Sequence, residues 1–248
     1  MRMQNQRQFL LKQIIWLIMA GVALLWFFPI HGQIDLDLIQ PWLDPHGLFY
    51  WSHHWALNDL GHRYVKYILI SVYAYFFIAF LASYKSQCFE RDRYVFLYFF
   101  IMVVLSTSVI GVIKSQSNYA CPWDMINSTA TSYTWNAHQM HGHCFPGGHA
   151  STGFALLAGY FIYRVSEPKR ALFYCISSLI LGLAMGWAQM MRGAHFFSHN
   201  LWTLWLIWLL NVAVYALSYS TFKRSVFGVT EHPIKHQQQD LSAKANEW

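Results

Sequence analysis

The chain alternates between long apolar blocks and short polar segments. Five blocks contain no Asp, Glu, Lys or Arg, and they cover residues 13–30, 67–84, 94–113, 171–191 and 200–222. Each is close to the ~18–20 residues with which a helix crosses ~30 Å of hydrocarbon. A sixth, shorter block begins at His149, whose polar side chain can sit at the interface. Every backbone amide in lipid needs an internal partner, so we interpret all six blocks as helices.

This pattern predicts an all-α, polytopic membrane protein, a six-transmembrane-helix bundle that forms one domain over residues 1–248. The predicted spans are 13–30, 65–84, 94–113, 149–165, 171–191 and 200–222, followed by a polar cytoplasmic tail at 223–248. The outer segment 31–64, which includes His62, mixes apolar and polar residues and predicts one or two short interfacial helices. The first block also resembles a signal peptide, but no small-x-small cleavage site follows it, and we predict an uncleaved span.

Composition and charge give the orientation. Hydrophobic residues make up 56% of the chain and charged residues 11%, well below the ~25% charged residues of soluble domains. The N-terminal segment, residues 85–93, residues 164–170 and the tail hold 3, 3, 3 and 4 basic residues, which is 13 of the 17 Lys and Arg. The positive-inside rule therefore predicts that both termini are cytoplasmic and that the 114–148 loop lies outside. No basic stripe interleaved with aromatics indicates a nucleic-acid partner.

Two of the four cysteines, Cys121 and Cys144, share the outer loop, and both stand near prolines. On an oxidising side of the membrane we expect them to form a disulfide. Closing this loop would stabilise the fold by roughly 3 kcal/mol on the chain-entropy model. The alternative is a pair of free thiols.

Three outer segments carry the candidate chemistry. They read Lys114-Ser-Gln-Ser-Asn-Tyr-Ala-Cys121-Pro122-Trp123-Asp124, Cys144-Phe145-Pro146-Gly147-Gly148-His149-Ala150-Ser151, and Gln189-Met-Met-Arg192-Gly193-Ala194-His195-Phe196-Phe197-Ser198-His199. All three fall on the same predicted side of the membrane. A bundle of helices with short loops can bring such ends together.

The residue types suit phosphoryl transfer. Lys114 and Arg192 can neutralise the non-bridging oxygens of a phosphoryl group. Gly147 and Gly148 precede a helix, where backbone N–H groups and the helix dipole favour an anion. His149 is placed to protonate a leaving oxygen. His195 can attack phosphorus if its other ring nitrogen is held, and His199 follows it by four residues.

This pattern resembles the phosphatidic acid phosphatase type 2 superfamily of membrane lipid phosphatases. That family shows K-x6-R-P, then P-S-G-H, then S-R-x5-H-x3-D, and the three segments occur here in the same order and at similar intervals. The resemblance implies a six-helix fold and a metal-independent phosphohistidine mechanism. It implies that Lys114 binds phosphate, that Gly148 contributes a backbone N–H, that His149 is the general acid and that His195 is the nucleophile.

Four positions depart from the family pattern. Cys121 stands in place of Arg, Gly147 in place of Ser, Gln189 in place of Arg and His199 in place of the terminal Asp. Arg192 lies three residues after Gln189, on nearly the same helix face, and we expect it to supply the displaced guanidinium. His199 is expected to orient His195 as a neutral acceptor, and Asp124 is a candidate for the carboxylate role.

The prediction is therefore a lipid phosphatase that hydrolyses a phosphomonoester or pyrophosphate of a phospholipid, polyprenyl phosphate or lipid A, without a cofactor. We place it in a bacterial inner (plasma) membrane with a periplasmic site. The alternatives are a lipid-to-lipid phosphotransferase and a catalytically reduced, lipid-binding relative. A metal site is a further alternative, because one loop holds His138, His141, His143, Cys144 and His149.

Overall fold

The computed structural model of the protein describes residues 2–57, 63–136, 138–139 and 141–222. The predicted tail 223–248 and His62 lie outside the described residues. In chain order the elements are α1 (Arg2–Phe27), α2 (Gln33–Ile39), α3 (Val65–Ala82), α4 (Gln87–Glu90), α5 (Arg93–Gln116), β1 (Ile126–Ser128), β2 (Tyr133–Trp135), α6 (Gly148–Phe154), α7 (Ala158–Tyr163), α8 (Pro168–Met191) and α9 (Phe197–Phe222).

Five of the described helices are long and apolar enough to cross a membrane, with mean hydropathies of 1.7 to 2.5. They are Gln6–Phe27, Val65–Ala82, Arg93–Gln116, Pro168–Met191 and Phe197–Tyr219. All five coincide with predicted spans, and the all-α membrane fold is confirmed. Helix α1 packs along α9, where the indole nitrogen of Trp205 donates to the carbonyl of Leu17 at 2.9 Å. Large apolar side chains such as Ile15 and Trp16 are exposed on α1, as expected of a helix that faces lipid.

The sixth predicted span, 149–165, differs from the others. Residues 148–163 are helical, but α6 and α7 are joined by a 3-10 turn at Ala155–Leu157, and the stretch is shorter than a membrane crossing requires. Most of its side chains are buried, including Phe154 and Phe161. This segment is therefore the centre of the bundle, so the prediction of six membrane-length helices is not confirmed.

Glycines bring the central segment close to α8. A Cβ added to Gly153 would lie 2.6 Å from the backbone nitrogen of Gly182, and one added to Gly182 would lie 2.1 Å from Cδ1 of Phe154. The hydroxyl of Ser178 also donates to the carbonyl of Phe154 at 3.0 Å. Small residues allow such close backbone approach between membrane helices, so α6 is fixed firmly against α8.

The outer segments form a cap over one end of the bundle, where α5 ends and α6 and α9 begin. Helix α2 is a short helix in the segment where interfacial helices were predicted. Strands β1 and β2 pair antiparallel, with Ile126 opposite Trp135; this hairpin was not predicted. The backbone of Trp123 donates to the carbonyl of Gly193 at 3.2 Å, which ties the first outer loop to the α8–α9 connection.

Candidate functional site

The three sequence segments meet at the capped end of the bundle. Lys114 lies in the last turn of α5, and its Nζ would be 3.9 Å from a Cβ added to Gly148 at the start of α6. The charges of Lys114 and His149 both act on the imidazole of His195. These three side chains therefore lie near one another at the capped end.

His195 is positioned by a glycine turn at the end of α8. The backbone N–H of Gly193 donates to the carbonyl of Met190 at 3.0 Å, and that of Ala194 donates to Gln189 at 2.9 Å. This pair of bonds is a Schellman motif, which requires a left-handed residue. Gly193 meets the requirement with φ of 78°. A Cβ there would also lie 2.4 Å from the ring of Phe49, so both conformation and space call for glycine.

His195 is a neutral imidazole at physiological pH. Its side chain is only 2% exposed, and burial lowers its pKa to about 3, with the charges of Lys114 and His149 acting in the same direction. A hydrogen bond to the backbone of Cys144 acts on this pKa in the opposite direction. Only a neutral imidazole has a free lone pair on one ring nitrogen, and burial favours this form of His195.

The Gly147–Gly148 turn is held against the first turns of α9. The N–H of Gly147 donates to Oγ1 of Thr203 at 2.8 Å, and this hydroxyl donates to the carbonyl of His199 at 2.7 Å. A Cβ added to Gly147 would lie 2.3 Å from Oδ1 of Asn200. Asn200 therefore fills the space that the family's serine would need. Because its N–H is already used, Gly147 shapes the turn, and the next backbone donor is that of Gly148.

A disulfide joins the first and second segments. Cys121 and Cys144 are bonded, with their Cα atoms 5.1 Å apart. The N–H of Cys144 also donates to the carbonyl of Tyr119 at 3.0 Å. The loop after Lys114 is thereby fixed directly beside the loop that carries His149.

Arg192 and Gln189 lie on the same side of α8, as their spacing predicts. Nη1 of Arg192 is 3.4 Å from Oε1 of Gln189, and its Nε donates to the carbonyl of Ser52 at 3.3 Å. Partial burial lowers the pKa of Arg192 below its ordinary value, although an arginine remains charged at any physiological pH. The guanidinium is thus held near the position of the missing family arginine, between α8 and the outer segment.

Two carboxylates differ sharply in their surroundings. Asp124 is exposed in a 3-10 turn at Pro122–Asp124, whereas His195 is buried, and no hydrogen bond joins the two in the described part of the chain. Asp35 of α2 is 2% exposed. It accepts hydrogen bonds from the backbone and hydroxyl of Ser198, at 2.9 and 2.5 Å. The buried carboxylate that contacts the start of α9 is therefore Asp35 of α2, and not Asp124.

Sequence reasoning missed Asp35 as a site residue. Burial raises its pKa to about 6, while hydrogen bonds from Ser198 and His31 act in the opposite direction. A signal exists in hindsight, because Asp35 and Ile39 share the buried face of α2 at i and i+4. An acidic residue on an apolar helix face indicates a buried partner.

His199 is fully buried between other rings. Its ring centre lies 6.0 Å from that of His195 and 5.8 Å from that of His31. His31 lies two residues before the start of α2 and was not among the predicted site residues. Like Asp35, it reaches the site from a segment far away in sequence.

The remaining histidines of the 138–143 region lie outside this cluster. His138, His141 and His143 are exposed, and Nδ1 of His143 is 2.7 Å from the carbonyl of Ser117. Among the residues that the structure describes, no group of three or more His, Cys, Asp or Glu is placed to hold a metal ion.

Comparison with known proteins gives one family. Residues 95–223 match the family model described as PAP2 superfamily, a range that contains all three segments of the site. No curated protein and no solved structure matches the chain.

Proposed function

The chain belongs to the PAP2 superfamily, which indicates phosphatase-type activity toward lipid-like substrates. We propose that it hydrolyses a phosphomonoester or pyrophosphate of a membrane lipid through a phosphohistidine intermediate. One observation carries the proposal. The buried neutral imidazole of His195 lies where the charges of Lys114 and His149 both reach it. A nucleophile, an acid and a phosphate-binding cation are the parts that metal-free phosphoryl transfer needs.

The reaction has two steps. A lone pair of His195 attacks phosphorus, the P–N bond forms, and the P–O bond to the lipid breaks. His149 donates a proton to the departing oxygen. His149 then takes a proton from water, whose oxygen attacks the phosphohistidine. Inorganic phosphate leaves, and His195 returns to its neutral form.

The phosphoryl oxygens are held by positive groups. Lys114, Arg192 and the backbone N–H of Gly148 stabilise the charge that these oxygens carry in the transition state. The N-terminus of the 148–163 helical segment adds its dipole. In this proposal Gln189, which contacts Arg192, holds the guanidinium for the incoming phosphate. These groups supply the charge that a metal ion provides in other phosphatases.

A groove beside the site fits the lipid tail. It has a volume of about 400 Å³, is lined mainly by apolar side chains of α3 and α5, and includes Lys66 and Thr152. Thr152 lies three residues after His149 on α6. A lipid that enters sideways from the bilayer would place its apolar chain in this groove and its phosphate beside His149. The substrates that fit are a phospholipid, a polyprenyl phosphate or a lipid A phosphate.

The distribution of Lys and Arg supports a multi-pass protein with both termini in the cytoplasm, and we propose that it resides in a bacterial inner membrane. The capped end of the bundle would then face the periplasm. An oxidising periplasm suits the Cys121–Cys144 disulfide.

The test is phosphate release by the purified full-length protein in excess chelator. The substrates are phosphatidic acid, phosphatidylglycerophosphate, undecaprenyl pyrophosphate and lipid A. Release from at least one lipid is expected for the wild type, with a loss of at least ~10⁴-fold in the His195→Ala variant, as when other covalent nucleophiles are removed. Labelled phosphate should be trapped on the protein after an acid-free quench and be absent in His195→Ala.

Two results would overturn this function. One is wild-type protein that releases phosphate from none of the lipids. The other is activity that survives the loss of His195. Transfer of the label to an added acceptor lipid, with no release to water, would replace hydrolysis by phosphotransfer while keeping the same intermediate.

A further inference from the structure

Three imidazoles form a row at the capped end of the bundle. The ring centres of His195 and His199 are 6.0 Å apart, and those of His199 and His31 are 5.8 Å apart. Imidazoles joined by an N–H···N bond have centres about 5 Å apart, from a bond of ~3 Å and two ring radii of ~1.1 Å. The two centre-to-centre distances in the row exceed that value by about 1 Å or less. Catalytic hydrogen bonds often reach full length only with substrate bound.

The buried nitrogens of these rings are matched to one another. Nδ1 of His195, both ring nitrogens of His199 and Nε2 of His31 are buried, and no hydrogen bond of ordinary length and angle to another described residue satisfies them. The backbone of Cys144 also lies near the rings of His195 and His199. Leaving such atoms unsatisfied costs about 1–3 kcal/mol each. A neutral imidazole carries one donor and one acceptor, so three rings in a row satisfy each other head to tail.

Aromatic side chains enclose the row. The rings of Phe145 and Phe196 lie 5.5 and 5.4 Å from that of His199, and the ring of Tyr119 lies 5.5 Å from that of His31. This enclosure lowers the local dielectric, which strengthens each hydrogen bond along the row.

Asp35 links the segment of His31 to the turn that carries His199, the middle member of the row. His31 has φ of 60°, a left-handed conformation that few non-glycine residues adopt. Its backbone N–H donates to Oδ2 of Asp35 at 3.2 Å. The same carboxylate accepts the N–H of Ser198, in the turn of α9 that carries His199. Strained backbone held by its surroundings is typical of functional positions.

We propose that His31 is a positioning residue, the outer member of a hydrogen-bonded row His31–His199–His195 that holds the Nδ1 proton of the nucleophile. The proposal rests on the proposed function, because it takes His195 as the attacking residue. As the P–N bond forms, the ring of His195 gains positive charge. Nδ1–H donates to His199, whose own N–H donates to His31, so the charge is spread over three rings.

The kinetic test compares His31→Gln with His46→Gln, which changes an exposed histidine of the same outer segment. With the lipid turned over fastest, His31→Gln should lower kcat roughly 10- to 100-fold, the range typical of lost outer partners. KM should stay within about two-fold, because the row acts on the reacting atom. His46→Gln should match the wild type.

Repeating the His31→Gln substitution in a His199→Asp protein distinguishes a positioning role of His31 from a merely structural one. In His199→Asp a carboxylate takes over the Nδ1 proton, so adding His31→Gln should change kcat by less than about two-fold, since coupled residues are not additive. Equal losses in both backgrounds would mean that His31 is merely structural, and no loss in the wild-type background would remove its role.

A readout without turnover distinguishes this proposal from the proposed function. In ¹⁵N-histidine NMR spectra of the full-length protein, assigned with His195→Ala and His199→Ala, His31→Gln should shift the ring nitrogens of both histidines, and His46→Gln should not. Shifts in a protein that releases no phosphate would leave the row standing and reject the phosphatase. Unchanged spectra would overturn the row whether or not the protein is active.

Discussion

At the scale of single residues, the site shows compensating pairs. Asn200 fills the space beside Gly147, while its Nδ2 donates to the carbonyls of Gly186 and Phe196 at 3.2 and 3.1 Å. Gly186 likewise leaves room, because a Cβ there would lie 2.6 Å from Cγ of Asn200. Glycine at positions 147 and 186 therefore leaves the space that Asn200 occupies.

Restoring the family's serine alone should damage the protein. In Gly147→Ser the new Cβ meets Asn200, and we expect destabilisation by about 1–3 kcal/mol, as for other overpacked sites. The double variant Gly147→Ser, Asn200→Ala should recover part of this loss. Thermal unfolding of the three proteins in detergent measures the effect. A single variant as stable as the wild type would contradict the packing argument.

Arg192 should matter through its charge. We expect Arg192→Ala to lower kcat/KM by about 100-fold or more, comparable to removing one oxyanion-stabilising donor, and Arg192→Lys to retain part of the activity. Gln189→Ala should lose less, because the guanidinium remains. The matched control is Arg170→Ala, whose exposed arginine pairs with Glu167 at the opposite end of the bundle. Wild-type rates in Arg192→Ala would remove the arginine from the mechanism.

Asp35 should make stability depend on pH. Its pKa is raised from 3.8 to about 6 in the folded protein, so the folded state binds the proton more tightly than the unfolded state. This contribution to stability is full below pH ~4 and is lost as pH rises through ~6, amounting to about 3 kcal/mol. Unfolding midpoints at pH 4 and pH 7 should therefore differ less in Asp35→Asn than in the wild type. An equal difference in both proteins would assign the pH dependence to other groups.

At the scale of elements, the close crossing of α6 and α8 sets the position of His149. In Gly153→Ala the added methyl would meet backbone atoms of Gly182, which cannot move as a side chain can. We expect a loss of about 1–3 kcal/mol in the free energy of unfolding. Gly111→Ala in α5 is the matched control, because a Cβ there meets nothing within 4 Å and alanine favours a helix by ~1 kcal/mol. Equal unfolding midpoints for the Gly153→Ala and Gly111→Ala variants would mean that α8 moves aside to make room for the added methyl group.

The same elements show what local sequence can predict. The five membrane-length helices follow from the absence of charge, which is a property of each segment alone. The hydrogen bond of Asp35 with Ser198 joins residues 163 positions apart, and His31 meets His199 from a similar distance along the chain, so no local pattern reports these contacts. The 148–163 segment was predicted as a span, yet it is surrounded by other helices, and a helix inside protein needs no full membrane length. Lys114, His149 and His195 were predicted as site residues because their spacing follows a family motif, and their roles stay a prediction.

At the scale of the whole molecule, orientation decides which compartment the site serves. The capped end holds the hairpin and the disulfide, whereas Cys88 is an exposed free thiol in α4 at the opposite end. The basic segments at that opposite end predict that it is cytoplasmic.

A membrane-impermeant maleimide should therefore leave Cys88 unlabelled in intact cells and label it in inside-out vesicles. Ser132→Cys, in the exposed turn of the hairpin, should behave in the opposite way, with Cys88→Ser and Cys175→Ser added so that one free thiol remains. Labelling of Cys88 from outside would place the site in the cytoplasm, and a periplasmic lipid phosphatase would be the wrong assignment even if the chemistry of His195 were right.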